Sequence, residues 1–122
     1  QVNIVDYQFK AGFRTMKQWI EANKNITAVF CASDTIAMGA LLAARELGKK
    51  VPEDYAVIGF DDLSFAEFTY PPLTTIHQPI FQKGRMAAEL LINEIEDEDA
   101  ERQKINLDPQ LIIRESCGSR QK

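Results

Sequence analysis

Residues 2–6 alternate apolar and polar side chains, a period of two that predicts a short strand. Phe9, Phe13, Met16 and Ile20 then follow at spacings of four, three and four, which puts them on one face of a helix. Asn23 and Asn25 predict its end. Residues 27–31 are a continuous apolar, β-branched and aromatic run, the pattern of a strand buried on both faces. Ser33 or Asp34 supplies an N-cap for a helix over residues 34–47 that is apolar nearly all round. Gly48 supplies the stop, with Arg45, Lys49 and Lys50 suited to the negative end of the helix dipole. Residues 51–54 read as a turn and 55–60 as a second buried strand. Residues 27–60 therefore predict a β-α-β unit with parallel strands and a right-handed crossover. With residues 2–25 ahead of it, the pattern is that of a doubly wound, mostly parallel α/β sheet.

The second half changes character. Residues 61–64 form a polar loop, and 64–68 have room for a helical turn ended by Pro71 and Pro72. Residues 73–76 are extended and β-prone. Pro79 marks a boundary, and residues 82–96 predict an amphipathic helix with Met86, Leu90, Leu91 and Ile95 on one side. Residues 94–101 hold six carboxylates in eight positions, a solvated surface loop. Residues 104–107 and 111–114 read as two closing strands.

Composition narrows the function classes. With 122 residues, 45% of them hydrophobic and 26% charged, the chain is one ordinary domain or a piece of one. Its 14 Lys and Arg against 18 Asp and Glu give a formal charge of −4, which argues against phosphate-backbone binding by these residues. No apolar run approaches the ~18 residues of a membrane span, and the first residues do not resemble a signal peptide. One histidine and two cysteines exclude the usual zinc cluster. Cys31 reads as a small buried hydrophobe and Cys117 as a free thiol near the C-terminus, and the pair suits a cytoplasmic home. The first residue is Gln1, which suggests a fragment or a processed product.

In a parallel α/β sheet, ligands bind beyond the carboxyl ends of the strands. Tyr7 follows the first predicted strand, Ser33 and Asp34 the second, Asp61 and Asp62 the third. Neighbouring strands lie ~4.8 Å apart, so these groups can converge on one rim. Carboxylates that accept from hydroxyl or N–H donors, beside a ring that stacks, suit a sugar or a nucleobase. Simpler roles stand beside these: helix caps for Ser33 and Asp34, a turn pair for Asp61 and Asp62, half-buried packing for Tyr7, and a structural or hinge role for His77. Asp34, Asp61 and Asp62 could also hold Mg²⁺ in a phosphotransfer site. That reading lacks a Gly-rich phosphate loop, a Gly-x-Ser-x-Gly elbow and a nucleophile with a base beside it.

Residues 30–40, Phe-Cys-Ala-Ser-Asp-Thr-Ile-Ala-Met-Gly-Ala, resemble the Ala-Asn-Asp-x-x-Ala-x-Gly segment of LacI/GalR-type transcriptional regulators. Val-Pro-Glu-Asp at 51–54, Val-Ile-Gly-Phe-Asp-Asp at 57–62, Pro-Pro-Leu-Thr-Thr-Ile at 71–76 and Gln-Pro at 78–79 follow in that family's order. Gly84, Ala-Ala-Glu-Leu-Leu at 87–91 and Leu-Ile-Ile-Arg-Glu-Ser at 111–116 match as well. The resemblance runs from about Tyr7 to Ser116. Each motif is weak alone, and the ordered set is specific.

The resemblance implies a two-lobed, periplasmic-binding-protein-like effector domain of type I, with a sugar, or less commonly a purine, in the cleft between lobes. It implies that residues 1–78 belong to the C-terminal lobe, 79–107 return to the N-terminal lobe, and 108–122 close the C-terminal lobe. A basic DNA-binding headpiece would lie upstream, so this chain alone should not bind operator DNA. Asp61 resembles the carboxylate that takes ligand hydroxyls or ring N–H groups, and Tyr7 the aromatic that stacks. Ser33 stands where the family usually has Asn, a shorter group with fewer donors. Gln78 falls near the cleft floor, and Asp34 behind the ligand contacts. The family's dimer surface maps to Met38, Leu42, Phe65 and Phe68. The apolar face of helix 82–96 is expected to dock on a second copy or to swap. No cofactor, metal, membrane contact or catalysis is implied. A solute receptor of the same fold is the nearest rival, and the Pro-Pro-Leu-Thr-Thr run and Arg-Glu-Ser ending favour the regulator.

Overall fold

The computed structural model describes residues 2–3, 6–22, 24–97 and 102–119. Its elements are helix α1 (Phe9–Glu21), strand β1 (Ala28–Phe30), helix α2 (Asp34–Glu46), strand β2 (Ala56–Asp61), a 3-10 turn (Ala66–Phe68), strand β3 (Thr74–His77), helix α3 (Ile80–Glu96) and strand β4 (Gln110–Ile112). The sheet order is β1-β2-β3-β4. β1 and β2 run parallel with Val29 opposite Val57, and β2 and β3 run parallel with Gly59 opposite Thr75. This is the mixed, mostly parallel α/β sheet that the periodicity predicts.

Residues 1–77 and 111–122 form one compact unit, and residues 78–110 a second. In the first, the core gathers Met16 of α1, Ile36, Ala37, Ala40 and Leu41 of α2, Val57 of β2 and Leu73 before β3. α1 and α2 approach so closely that a Cβ added at Gly39 would overlap the Phe9 carbonyl, and one at Gly12 the Ile36 carbonyl. Two facing glycines are therefore what lets the helices pack backbone to backbone. Ser33 is the N-cap of α2, its Oγ accepting from the Ile36 N–H at 3.2 Å.

Several expectations need correction. The run 27–31 is not a strand buried on both faces. β1 is the edge of the sheet, and alternation sends Val29 toward the core while Ala28 and Phe30 face out. Phe30 is 61% exposed and meets the Phe60 ring edge-to-face at 6.5 Å. Of the strand expected at 2–6, Ile4 and Val5 lie outside the described residues, and Val2, Asn3 and Asp6 are irregular and exposed. Residues 104–107 form no strand, since no sheet edge is shared with them. The last strand ends at Ile112, because the Arg114 backbone N–H turns to the Thr74 hydroxyl instead of extending a ladder.

In the second unit, α3 starts at Ile80, two residues earlier than its apolar periodicity implies. Met86 and Leu90 are half-buried, whereas Leu91 and Ile95 are exposed. Glu94 and Glu96 complete this helix instead of opening a loop, and residues 98–101 lie outside the described ones. No helix among the described residues is long and apolar enough to cross a membrane.

Candidate functional site

The carboxyl ends of β1, β2 and β3 carry the polar groups of the first unit. β2 ends at Asp61, where the backbone turns into the left-handed region at two successive positions, Asp61 (φ 107°) and Asp62 (φ 53°). Side chains with a Cβ adopt that region rarely, at a cost of about 1–3 kcal/mol each, and only where neighbours over-determine it. Here Asp34 and Thr75 are those neighbours. The Leu63 N–H donates to Asp34 Oδ2 at 2.7 Å, and the Asp62 N–H donates to Thr75 Oγ1 at 3.4 Å. The Thr75 hydroxyl in turn donates to Asp34 Oδ1 at 2.5 Å. The Asp62 carboxylate takes Arg114 Nη2 at 2.8 Å on one oxygen and faces His77 Nδ1 at 3.1 Å on the other.

Asp34 is fully buried, at 0% exposure, at the first position of α2. Its carboxylate lies directly against β2, so that a Cβ at Gly59 would overlap Oδ1. Burial pushes the Asp34 carboxyl above its ordinary value. The Thr75 and Leu63 hydrogen bonds pull the other way, and the charges of Asp61 and Asp62 add to the rise. Burial also pushes the Cys31 thiol up to about 12, helped by the negative Asp34, so this thiol stays neutral.

The sequence-predicted residues are distributed as follows. Ser33 and Asp61 stand at the ends of neighbouring strands, Ser33 buried and Asp61 half-buried. Ser33 caps α2, and a hydroxyl that accepts still has a proton to donate. Tyr7 is 71% exposed, so the half-buried packing role is ruled out. It lines a cavity of about 550 Å³ between α1 and β1 with Met16, Trp19, Phe30 and Ala32, and neither Ser33 nor Asp61 lines that cavity. Gln78 opens the second unit. Asp34 does not cap its helix. Ser33 does, and the Asp34 carboxylate serves the turn after β2. Asp62 does more than make a turn, since it pairs with Arg114 and His77. His77, read from sequence as a structural or hinge residue, faces the Asp62 carboxylate. Met38, Leu42 and Phe65 are half-buried, and Phe68 is 80% exposed.

The three aspartates do not assemble a metal site. Among the described residues no group of three His, Cys, Asp or Glu side chains is gathered as one would require. Asp34 and Asp62 are instead satisfied by protein donors. Cys117 is a free thiol, as expected, and it has hydrogen-bond partners. The Thr74 hydroxyl donates to its sulfur at 3.2 Å, and Ser119 Oγ lies at 3.3 Å. Burial opposes the Cys117 thiolate, but the hydrogen bonds outweigh it and hold the thiol below its ordinary value.

Sequence reasoning missed Thr75, Arg114 and Ser116. A signal was available for Thr75, since threonines in the otherwise apolar run 71–76 must find partners when buried, whereas the polar stretch Arg-Glu-Ser at 114–116 carries none. Thr74, Thr75 and Ser116 are all fully buried.

The polar groups thus lie beyond the carboxyl ends of parallel strands, the place where open α/β sheets bind their ligands. Residues 2–117 match the periplasmic binding protein-like domain, and the chain belongs to that family. It is 41% identical over 111 residues to the HTH-type transcriptional repressor PurR of Photorhabdus laumondii, covering 91% of this chain and 33% of that protein. Its fold superposes with a TM-score of 0.88 on a LacI family transcriptional regulator from Enterococcus faecalis V583 with bound ribose. The two are 35% identical, over 95% of this chain and 43% of that one. The transcriptional regulator CelR in complex with cellobiose gives a TM-score of 0.86 at 38% identity, over 92% of this chain and 34% of that one. The chain thus spans about a third of the length of PurR and between a third and a half of the two solved structures.

Proposed function

We propose that this chain is the C-terminal part of the effector-binding domain of a LacI-type, ligand-responsive transcription regulator. Residues 1–78 and 108–122 form its C-terminal lobe, and 79–107 return to the N-terminal lobe. The observation that carries the reading is similarity over nine-tenths of the chain to regulators, one of them holding ribose. The effector is a sugar, with a purine as the alternative class, and it is held by Tyr7, Ser33, Asp61 and Gln78. The protein works in the cytoplasm as a homodimer through Met38, Leu42, Phe65 and Phe68, and reaches operator DNA through a headpiece upstream of Gln1. Its role is binding, not catalysis. Effector in the cleft favours one lobe arrangement and so changes how the dimer presents its headpieces, a shift of population between two states.

The test is a melting-temperature screen of the intact protein against ribose, cellobiose, adenine and guanine, followed by operator release with any ligand that stabilises it. A ligand at 100 times its dissociation constant stabilises by about 2.7 kcal/mol, a shift of several degrees. Asp61→Ala is expected to keep the fold and lose the response. A variant that releases DNA at the same effector concentration as wild type refutes the assignment of Asp61.

A further inference from the structure

The left-handed turn at Asp61 and Asp62 is held from behind by two side chains that lie too deep to touch a ligand. We infer that Asp34 and Thr75 are positioning residues for effector recognition: they fix the backbone at Asp61–Leu63 and so aim Asp61. This inference rests on the proposed role of Asp61 and adds to it the pair that sets its geometry.

The Asp34 carboxylate spends one oxygen on the Leu63 N–H and the other on the Thr75 hydroxyl. The Thr75 oxygen then accepts the Asp62 N–H. Both side chains are fully buried, so neither is held by solvent. The two amides that follow Asp61 are therefore anchored to two buried groups from different elements, α2 and β3. Gly59 belongs to the same device, because any side chain there would displace Asp34 Oδ1. A turn with two residues at positive φ would otherwise relax toward commoner backbone angles and carry Asp61 with it.

Thr75→Val keeps the shape and removes both hydrogen bonds, and Thr75→Ser restores the hydroxyl. Amide hydrogen exchange on the intact protein reads the anchor without any ligand. In Thr75→Val the Asp62 and Leu63 amides are expected to exchange at least tenfold faster, with Val57 and Ile58 unchanged and Thr75→Ser close to wild type. Unchanged protection, or protection lost evenly along β2, overturns the inference. Ribose affinity then gives a readout that general stability does not move. Thr75→Val should weaken ribose about tenfold in the wild-type background and add nothing once Asp61→Ala is present. Equal losses in both backgrounds overturn the inference. If wild type does not bind ribose, ribose is not the effector, and the exchange arm alone decides the anchor. Should Thr75→Val fail to fold, Asp34→Asn takes its place in the same two measurements.

Discussion

Ser116 is a single hydroxyl on which two strands depend, and removing it tests how the sheet is joined. The residue is fully buried. Its Oγ donates to the Val57 carbonyl at 2.6 Å and accepts the Thr74 N–H at 2.9 Å. Its backbone carbonyl takes the Val57 N–H at 2.8 Å, and its own N–H reaches the Pro72 carbonyl at 3.0 Å. Ser116→Ala leaves those two backbone contacts intact and strips two partners from β2 and β3. A typical hydrogen bond contributes about 1 kcal/mol net, and a buried backbone group left without a partner costs about 1–3 kcal/mol. Alanine fills nearly the same space, so little cavity cost is added. The expected loss is therefore about 2–4 kcal/mol, a large share of the roughly 5–15 kcal/mol that holds such a domain together. Urea denaturation measures it, with Ser64→Ala, an exposed serine, as a control expected within about 0.5 kcal/mol of wild type. The melting temperature should fall by roughly 10 °C with an unchanged denaturant slope. If Ser116→Ala lies within 0.5 kcal/mol of wild type, the two polar groups have found other partners. The account of Ser116 as the clasp between β2 and β3 is then wrong.

Gly39→Ala should cost roughly 1–3 kcal/mol, because its Cβ would overlap the Phe9 carbonyl and the α1–α2 backbones must part. A thermal melt checks it, and a neutral result would mean that the helices slide apart freely. In the folded protein one thiol, Cys117, is expected to react with a disulfide reagent near neutral pH, and Cys31 only after unfolding. Mass spectrometry of the labelled peptides distinguishes them. Asp34 carries a raised carboxyl, so between the ordinary carboxylate value and its own folded value the native state holds more protons than the unfolded state. Stability should fall as pH rises through that window, and the slope should vanish in Asp34→Asn.

Much of this fold is legible because it rests on strong periodic signals. The helices α1 and α2, the strand β2 and the parallel β-α-β order all follow from spacing and caps. What was not legible depends on neighbours far along the chain. The run 27–31 has the composition of a central strand, yet its exposure is set by which strands flank it, and a local window contains no such information. The same holds for Asp34. Its place just after Ser33 reads as a cap, and only the approach of β3 and the turn after β2 shows that its oxygens go to Thr75 and Leu63. Asp61 and Asp62 look alike in sequence, and the fold separates them by pairing Asp62 with Arg114, fifty-two residues away.

That separation bears on how the site works. A carboxylate committed to an arginine and a histidine is poorly placed to answer a ligand, since an incoming hydroxyl would have to displace charge-assisted hydrogen bonds. Asp62 is better understood as a brace, joining the turn after β2 to the end of β3 and to the segment after β4. The segment after β4 contributes two further ties, the Arg114 N–H to the Thr74 hydroxyl and Arg114 Nη1 to the Leu73 carbonyl at 2.8 Å. The Arg-Glu-Ser ending is therefore a tether that grips the front of β3 and the rim beyond β2 together. Its two ends have different duties, Ser116 holding the strands in register and Arg114 holding the rim.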